Sequence, residues 1–221
     1  MKNLKKAAKM AMLAFENGIR LHKDSILLYK NKSFPSAYFF SILTQEEIGK
    51  AFLLEEHVYQ MRGRVNEIDK DCEKMMLDIL ISHRAKQGWF SKLADDPHKY
   101  HGKKYPRFIK EVTSGKMEEE KQNAIYVGLT KKGNKLNKKG KIIIPSKRIT
   151  PKDAENQITR VNDFIILLIE ECRRGVSMVD TEELYSILKM KVAEELKKLW
   201  VIRSKETQRK LNRLIKFRYF K

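Results

Sequence analysis

The chain predicts an all-α helical bundle that carries a small β-hairpin insertion and ends in a long C-terminal helical segment. Apolar residues recur every three or four positions through several long stretches, the spacing that lines one face of an α-helix. β-prone residues gather in only two short runs, "AIYVGLT" and "KIIIP". A length of 221 residues with 42% hydrophobic content is enough to bury one sizeable core.

The first helix follows from Leu4, Ala8, Ala11, Phe15, Ile19, His22, Ile26 and Tyr29, which share one face. "NKSFPS" then supplies a turn, with Pro35 suited to a first helical position, and a second helix runs from there to about Arg62, closed by Gly63. Asn66 can cap a third helix with Asp69 three residues on, its stripe continuing through Ile68, Cys72, Met76, Ile79, His83, Lys86 and Phe90. "ADDPHKYHGKKYPRF" breaks the pattern, and a shorter helical stretch follows from about Phe108 to Asn123, weakened at Ser114-Gly115.

The two β-prone runs flank "KKGNKLNKKG", which reads as a small hairpin with a long basic tip. Thr150-Pro151 with Asp153 marks a helix start, and Ala154, Ile158, Val161, Ile165 and Leu168 carry that helix towards Gly175. Asp180 can cap the long, Lys/Arg-rich C-terminal segment. The division expected is a helical domain over residues 1–178 and a basic helical extension over 179–221.

Charge narrows the partners. The 47 Lys and Arg against 28 Asp and Glu give a formal net charge of +19, a field that attracts polyanions. Between Gly128 and Arg148 there are eight Lys or Arg and no acid. Cys72 and Cys172 form no CxxC or Cys/His spacing, so neither a zinc site nor a disulfide scaffold is indicated, and a reducing cytoplasm fits best. The longest strongly apolar run, Phe164 to Ile169, is too short to span a bilayer. A soluble protein without a membrane partner is expected.

One stretch departs from helix patterning. In "SILTQEEIGKAFLLEEHV", residues 41–58, Glu46, Glu47, Gly49 and Lys50 sit within an apolar run. Glu46 and Glu47 lie four and three residues before Lys50, so both carboxylates can reach one ammonium. A surface pair would account for this arrangement alone, but Gly49 would not be needed for it. A glycine inside a helix costs about 1 kcal/mol against alanine, which points to close approach by another backbone or a ligand.

"LISHRAKQGWF", residues 80–90, supplies complementary groups: His83 and Lys86 on one face, with Arg84 beside them. If the second and third helices pack antiparallel, Glu46, Glu47, Lys50, His83 and Lys86 converge. Such a cluster can perform acid–base chemistry on a phosphodiester without a metal. A di-iron bundle would need Glu-x-x-His, and no histidine here has a glutamate three before it. No Gly-rich phosphate loop, His-Glu-x-x-His helix or Gly-x-Ser-x-Gly elbow is present either. No metal or cofactor is therefore expected.

In the order "NGIRLHKDSILLYK", "SAYFFSILTQEEIGKAF", "SHRAK", "AIYVGL" and "KIIIPSKRITPKDA", the chain resembles the abortive-infection AbiV family of the HEPN superfamily over about residues 1 to 175. The pairing of Glu-Glu-x-Gly-Lys with His-x-x-Lys carries most of the likeness. The resemblance implies a HEPN helical domain, commonly a homodimer with its functional groups near the dimer seam, used in bacterial defence against phage. Many HEPN relatives are metal-independent ribonucleases marked by Arg, four to six residues, then His, a pattern that does not occur in this chain. The matched motifs instead carry over Glu46, Glu47, Lys50, His83 and Lys86.

The expectation is thus a cytoplasmic, toxin-like, metal-independent endoribonuclease that arrests translation or growth on a phage-encoded trigger. RNA would be held by Arg84 and by Lys131, Lys132, Lys135, Lys138, Lys139 and Lys141 of the hairpin. The alternative is a non-catalytic module that binds RNA or a partner protein. A membrane-surface protein would require an apolar face left exposed on the basic C-terminal helix.

Overall fold

The computed structural model describes residues 2–62, 74, 77, 80–94, 107–132, 135–136, 139–172 and 190–216. Helices α1 (Lys2–Lys30) and α2 (Phe34–Arg62) form the long hairpin on which the other elements are built. The rest are α3 (His83–Ala94), α4 (Arg107–Thr113), α5 (Lys116–Asn123), α6 (Pro145–Arg148), α7 (Pro151–Cys172), α8 (Met190–Leu199) and α9 (Lys205–Lys216).

The turn between α1 and α2 closes through Lys32, whose φ of 61° lies in the left-handed region, with Ser33 N–H returning to the Leu28 carbonyl at 2.9 Å. The expected α1 stripe is the buried one: Ala8, Ala11, Phe15, Ile19, His22 and Ile26 all point inward. Phe15 and Ile19 meet Ile42, Ile48 and Phe52 of α2 and Val161, Ile165 and Ile169 of α7 in the main core. A second cluster of Ala7, Ala8, Ala11, Leu54 and Val58 seals the far end of the α1–α2 hairpin, with Leu80 against it.

The third helix differs from the expectation. Its proposed start at Asn66 lies outside the described residues, and the helix that carries the functional motif begins anew at His83. Ser82 leaves the helical conformation and caps it, its Oγ accepting the Ala85 N–H at 3.2 Å. The break expected at Ser114-Gly115 separates α4 from α5, and the Gly115 φ of 76° is a left-handed conformation suited to glycine. Thr150 and Asp153 form the capping pair that opens α7: Asp153 Oδ2 accepts the Thr150 N–H at 2.9 Å and Thr150 Oγ1 accepts the Asp153 N–H at 3.2 Å.

The hairpin is two short antiparallel pairs in line. β1 (Gly128–Leu129) pairs with β4 (Ile142–Ile143), and β2 (Lys131–Lys132) with β3 (Lys135–Leu136). Residues 124–127, expected within the first strand, are turn and extended chain instead, with Tyr126 and Val127 exposed.

Among the described residues, the expected C-terminal helical segment holds the helices α8 and α9. Trp200 stops α8, burying its ring edge-on to Tyr29 at 5.0 Å and donating Nε1–H to Thr159 Oγ1 at 2.9 Å. Ser204 then caps α9, its backbone N–H held by Asp163 Oδ2 at 2.9 Å. Asp180 lies outside the described residues. Ala193 and Leu196 of α8 belong to the main core.

A buried polar layer runs between α1, α2 and α7. His22 Nε2–H bonds to Asn162 Oδ1 at 2.9 Å, and Gln157 donates to Gln45.

Candidate functional site

Helices α2 and α3 approach closely at Gly49. A Cβ built on Gly49 would stand 2.1 Å from the Lys86 carbonyl oxygen and 3.2 Å from the Phe90 nitrogen, so the expected close approach is a helix backbone. The missing side chain lets the faces bearing Glu46 and His83 meet. Phe90 fixes the other end of the contact, fully buried and packed on Phe164 at 4.7 Å and on Phe108 at 6.2 Å.

At this crossing Glu46 is a hub. Its Oε2 accepts from His83 Nδ1 at 2.7 Å, while Oε1 accepts from Gln87 Nε2 at 2.8 Å and from Lys121 Nζ at 2.9 Å. The Glu46 side chain is 3% exposed and that of His83 53%, so the imidazole spans from a buried carboxylate to solvent. A carboxylate only accepts, so Nδ1 carries the proton and the neutral ring keeps its lone pair on Nε2.

Helix α5 supplies groups that sequence reasoning missed. Lys121 is buried and bridges Glu46 to Glu118, which it meets at 2.7 Å, and Gln87 reaches Glu118 as well at 3.1 Å. Burial pushes the Glu118 carboxyl up, yet hydrogen bonds from Lys121 and Gln122 and the Lys121 charge bring it below the ordinary range. Lys121 could have been found from its place on the stripe Met117, Lys121, Ala124, spaced four and three apart and buried throughout.

Glu47 and Lys50 pair with each other at 2.6 Å, and Glu47 also accepts from Asn17 of α1 at 3.1 Å. The expectation that both carboxylates share the Lys50 ammonium is corrected: among the described residues Lys50 bonds Glu47, while Glu46 turns to His83 and Lys121. Lys86 is 8% exposed and, among the described residues, has no carboxylate at ion-pair distance. Burial lowers its proton affinity, Glu46 and Glu47 raise it, and Lys50 and Lys121 lower it further.

Arg84 turns away from the hub and donates to the Thr113 carbonyl at 3.0 Å beside Gly115. Of the hairpin lysines, Lys131, Lys132 and Lys135 lie on β2 and β3, Lys139 and Lys141 are exposed, and Lys138 lies outside the described residues.

Glu46, His83 and Glu118 offer ligand atoms within 4.8 Å of one another. The Lys121 ammonium bridges the two carboxylates, so the cluster is ion-paired as it stands. Among the described residues no helix is long and apolar enough to cross a membrane.

Comparison with curated proteins and with solved structures finds no match. The sequence profile of AbiV, a HEPN family, matches residues 6–166, a span that contains α2, α3 and α5 and hence every group bonded to Glu46. With most of its length and its helical architecture in agreement, the chain belongs to the AbiV family, the abortive-infection branch of the HEPN proteins.

Proposed function

We propose that this protein is a metal-independent endoribonuclease that halts growth or translation in a phage-infected cell. The observation that carries the reading is the hydrogen-bonded pair of Glu46 and His83 at 2.7 Å, the ring half open to solvent and Lys86 three residues on along the same helix. Glu46 fixes the tautomer, which leaves Nε2 as the base for a ribose 2′-hydroxyl. The 2′-oxygen forms a bond to phosphorus, the bond from phosphorus to the 5′-oxygen breaks, and the proton taken by His83 is available to the leaving oxygen. The products are a 2′,3′-cyclic phosphate and a 5′-hydroxyl.

Lys86 stabilises charge on the phosphorane-like transition state, because among the described residues its ammonium has no carboxylate at ion-pair distance and can meet an anion. Lys50, already paired with Glu47, is the second cation at hand. Arg84 and the hairpin lysines hold the RNA backbone without reading its sequence.

A homodimer belongs to this reading. Ile81, two residues before His83, is exposed, and Tyr126 and Val127 stand exposed one turn beyond Gln122. Polar groups at the hub and apolar groups at its rim suit a shared seam. Light scattering that found an active monomer at micromolar concentration would remove this part of the proposal. A phage-encoded component as trigger fits a protein whose unrestrained activity would harm its own cell.

The test is incubation of the purified protein with total RNA in EDTA, followed by mapping of new ends. Cleavage with 2′,3′-cyclic phosphates is expected, with a phage extract added where the resting protein is silent. Binding without cleavage under both conditions favours the second reading, a non-catalytic RNA- or protein-binding module. That reading draws on the lack of an Arg four to six residues ahead of any histidine.

A further inference from the structure

We propose that Glu118 and Lys121 act as a pair of opposed positioning residues, together setting the negative charge that Glu46 presents to His83. The proposal rests on the ribonuclease reading for its consequence but on geometry for its substance. A single buried ammonium lies 2.9 Å from Glu46 and 2.7 Å from Glu118, and Gln87 ties the same two carboxylates together at 2.8 and 3.1 Å. One lysine charge is therefore divided between two acids, only one of which holds His83.

Among the described residues, charged groups near the imidazole come from three helices. Glu46, Glu47 and Lys50 lie on α2, Glu118 and Lys121 on α5, and Lys86 and Arg84 on α3 itself. Glu47 and Lys50 neutralise each other, and Arg84 is turned to the Thr113 carbonyl. The balance felt by His83 is thus left to Glu46, Glu118, Lys121 and Lys86. The more of the lysine charge Glu46 receives, the less it favours a proton on the ring.

Removing either regulator should have opposite effects. In Lys121→Met both carboxylates face His83 unneutralised, so its protonated form gains and the base works only at higher pH. In Glu118→Gln the ammonium falls wholly on Glu46, and the base works to lower pH. Ligand atoms of His83 and Glu118 lie within 4.8 Å, close enough for the loss of one charge to be felt at the ring. Lys121→Arg keeps the charge and should return the profile towards wild type even where the maximal rate falls.

The experiment follows the His83 ring signals by NMR against pH in each full-length variant, beside the pH profile of cleavage of an RNA oligonucleotide. Lys121→Met leaves the buried Glu46 carboxylate without its cation and is at risk of unfolding. Glu118→Gln, a conservative change at a part-exposed group, decides the matter alone. A downward shift of the His83 midpoint in folded Glu118→Gln supports the proposal; an unmoved or upward midpoint overturns it. If the wild type cleaves no RNA with or without phage extract, the ribonuclease reading fails while the ring titration still decides this one.

Discussion

Gly49 and the Lys86 carbonyl oxygen are in direct contact across the α2–α3 crossing, with room for a hydrogen on Gly49 and for nothing larger. In an open helix Gly→Ala gains about 1 kcal/mol. At residue 49 the added methyl would meet backbone, which cannot swing aside, and overpacking of this kind costs about 1–3 kcal/mol. Gly49→Ala is predicted to be less stable than wild type in urea denaturation. Gly88→Ala, where a Cβ meets nothing within 4 Å, is predicted to be neutral or slightly stabilising. Equal gains from both would show that the helices do not meet at Gly49. Because the contact sets how near His83 comes to Glu46, Gly49→Ala should also lower activity.

His83→Ala tests the chemistry with little cost to the fold. The ring is half exposed, and Glu46 keeps two of its three donors, Gln87 and Lys121, when it is removed. A stability loss well under 3 kcal/mol is expected, together with loss of growth arrest on expression. A variant that remains toxic at equal expression would show that His83 is not the base. Glu46→Gln is a poorer probe, since it strips the buried Lys121 of one of its anions and should cost stability in its own right.

Much of this was legible in the sequence because helical periodicity reports burial directly. The α1 and α7 stripes, the glycine break at residue 115 and the Thr150/Asp153 cap all depend on residues close in the chain. Glu46, Gly49 and His83 were visible because each is anomalous for its local pattern. Lys121 was passed over, since "KMEEEKQN" has the composition of a solvated helix and its place between Met117 and Ala124 is the one local sign that this lysine turns inward. The break at Trp200 was hidden because the partners that make it, Tyr29, Thr159 and Asp163, lie far along the chain. The restart of α3 rests on a local cap, Ser82 on Ala85, that the unbroken apolar stripe around it concealed.

His22 gives a prediction for stability against pH. It is fully buried, and burial pushes its imidazole down from the ordinary 6.5 to about 4, with Arg203 lowering it further and the Asn162 hydrogen bond opposing. Below about 6.5 the unfolded histidine takes up a proton that the folded one refuses, so stability falls as pH drops from there towards 4. A shift of this size corresponds to about 3 kcal/mol at most. Denaturation of wild type and His22→Gln at pH 7.5 and 4.5 should show the larger loss in wild type. Parallel losses would place the acid sensitivity elsewhere. Asp163, whose carboxyl is raised by burial, works against the trend at the acid end.

RNA affinity is predicted to be electrostatic and to sit apart from the chemistry, in Lys131, Lys132, Lys135, Lys138, Lys139 and Lys141. In the chain, the segment that carries them follows α5 and precedes α6. For single-stranded nucleic acid, each neutralised phosphate contributes about 0.7 to the slope of log affinity against log salt. Replacing all six lysines should flatten that slope by a few units, to the same extent for unrelated RNA sequences, because phosphate contacts position the chain and base contacts specify it. Cleavage at saturating RNA should change little, since contacts made equally in ground and transition states alter KM and leave kcat alone. An unchanged salt slope would show that the tip does not touch RNA, and the excess positive charge would then act through the segment from Lys189 to Lys221.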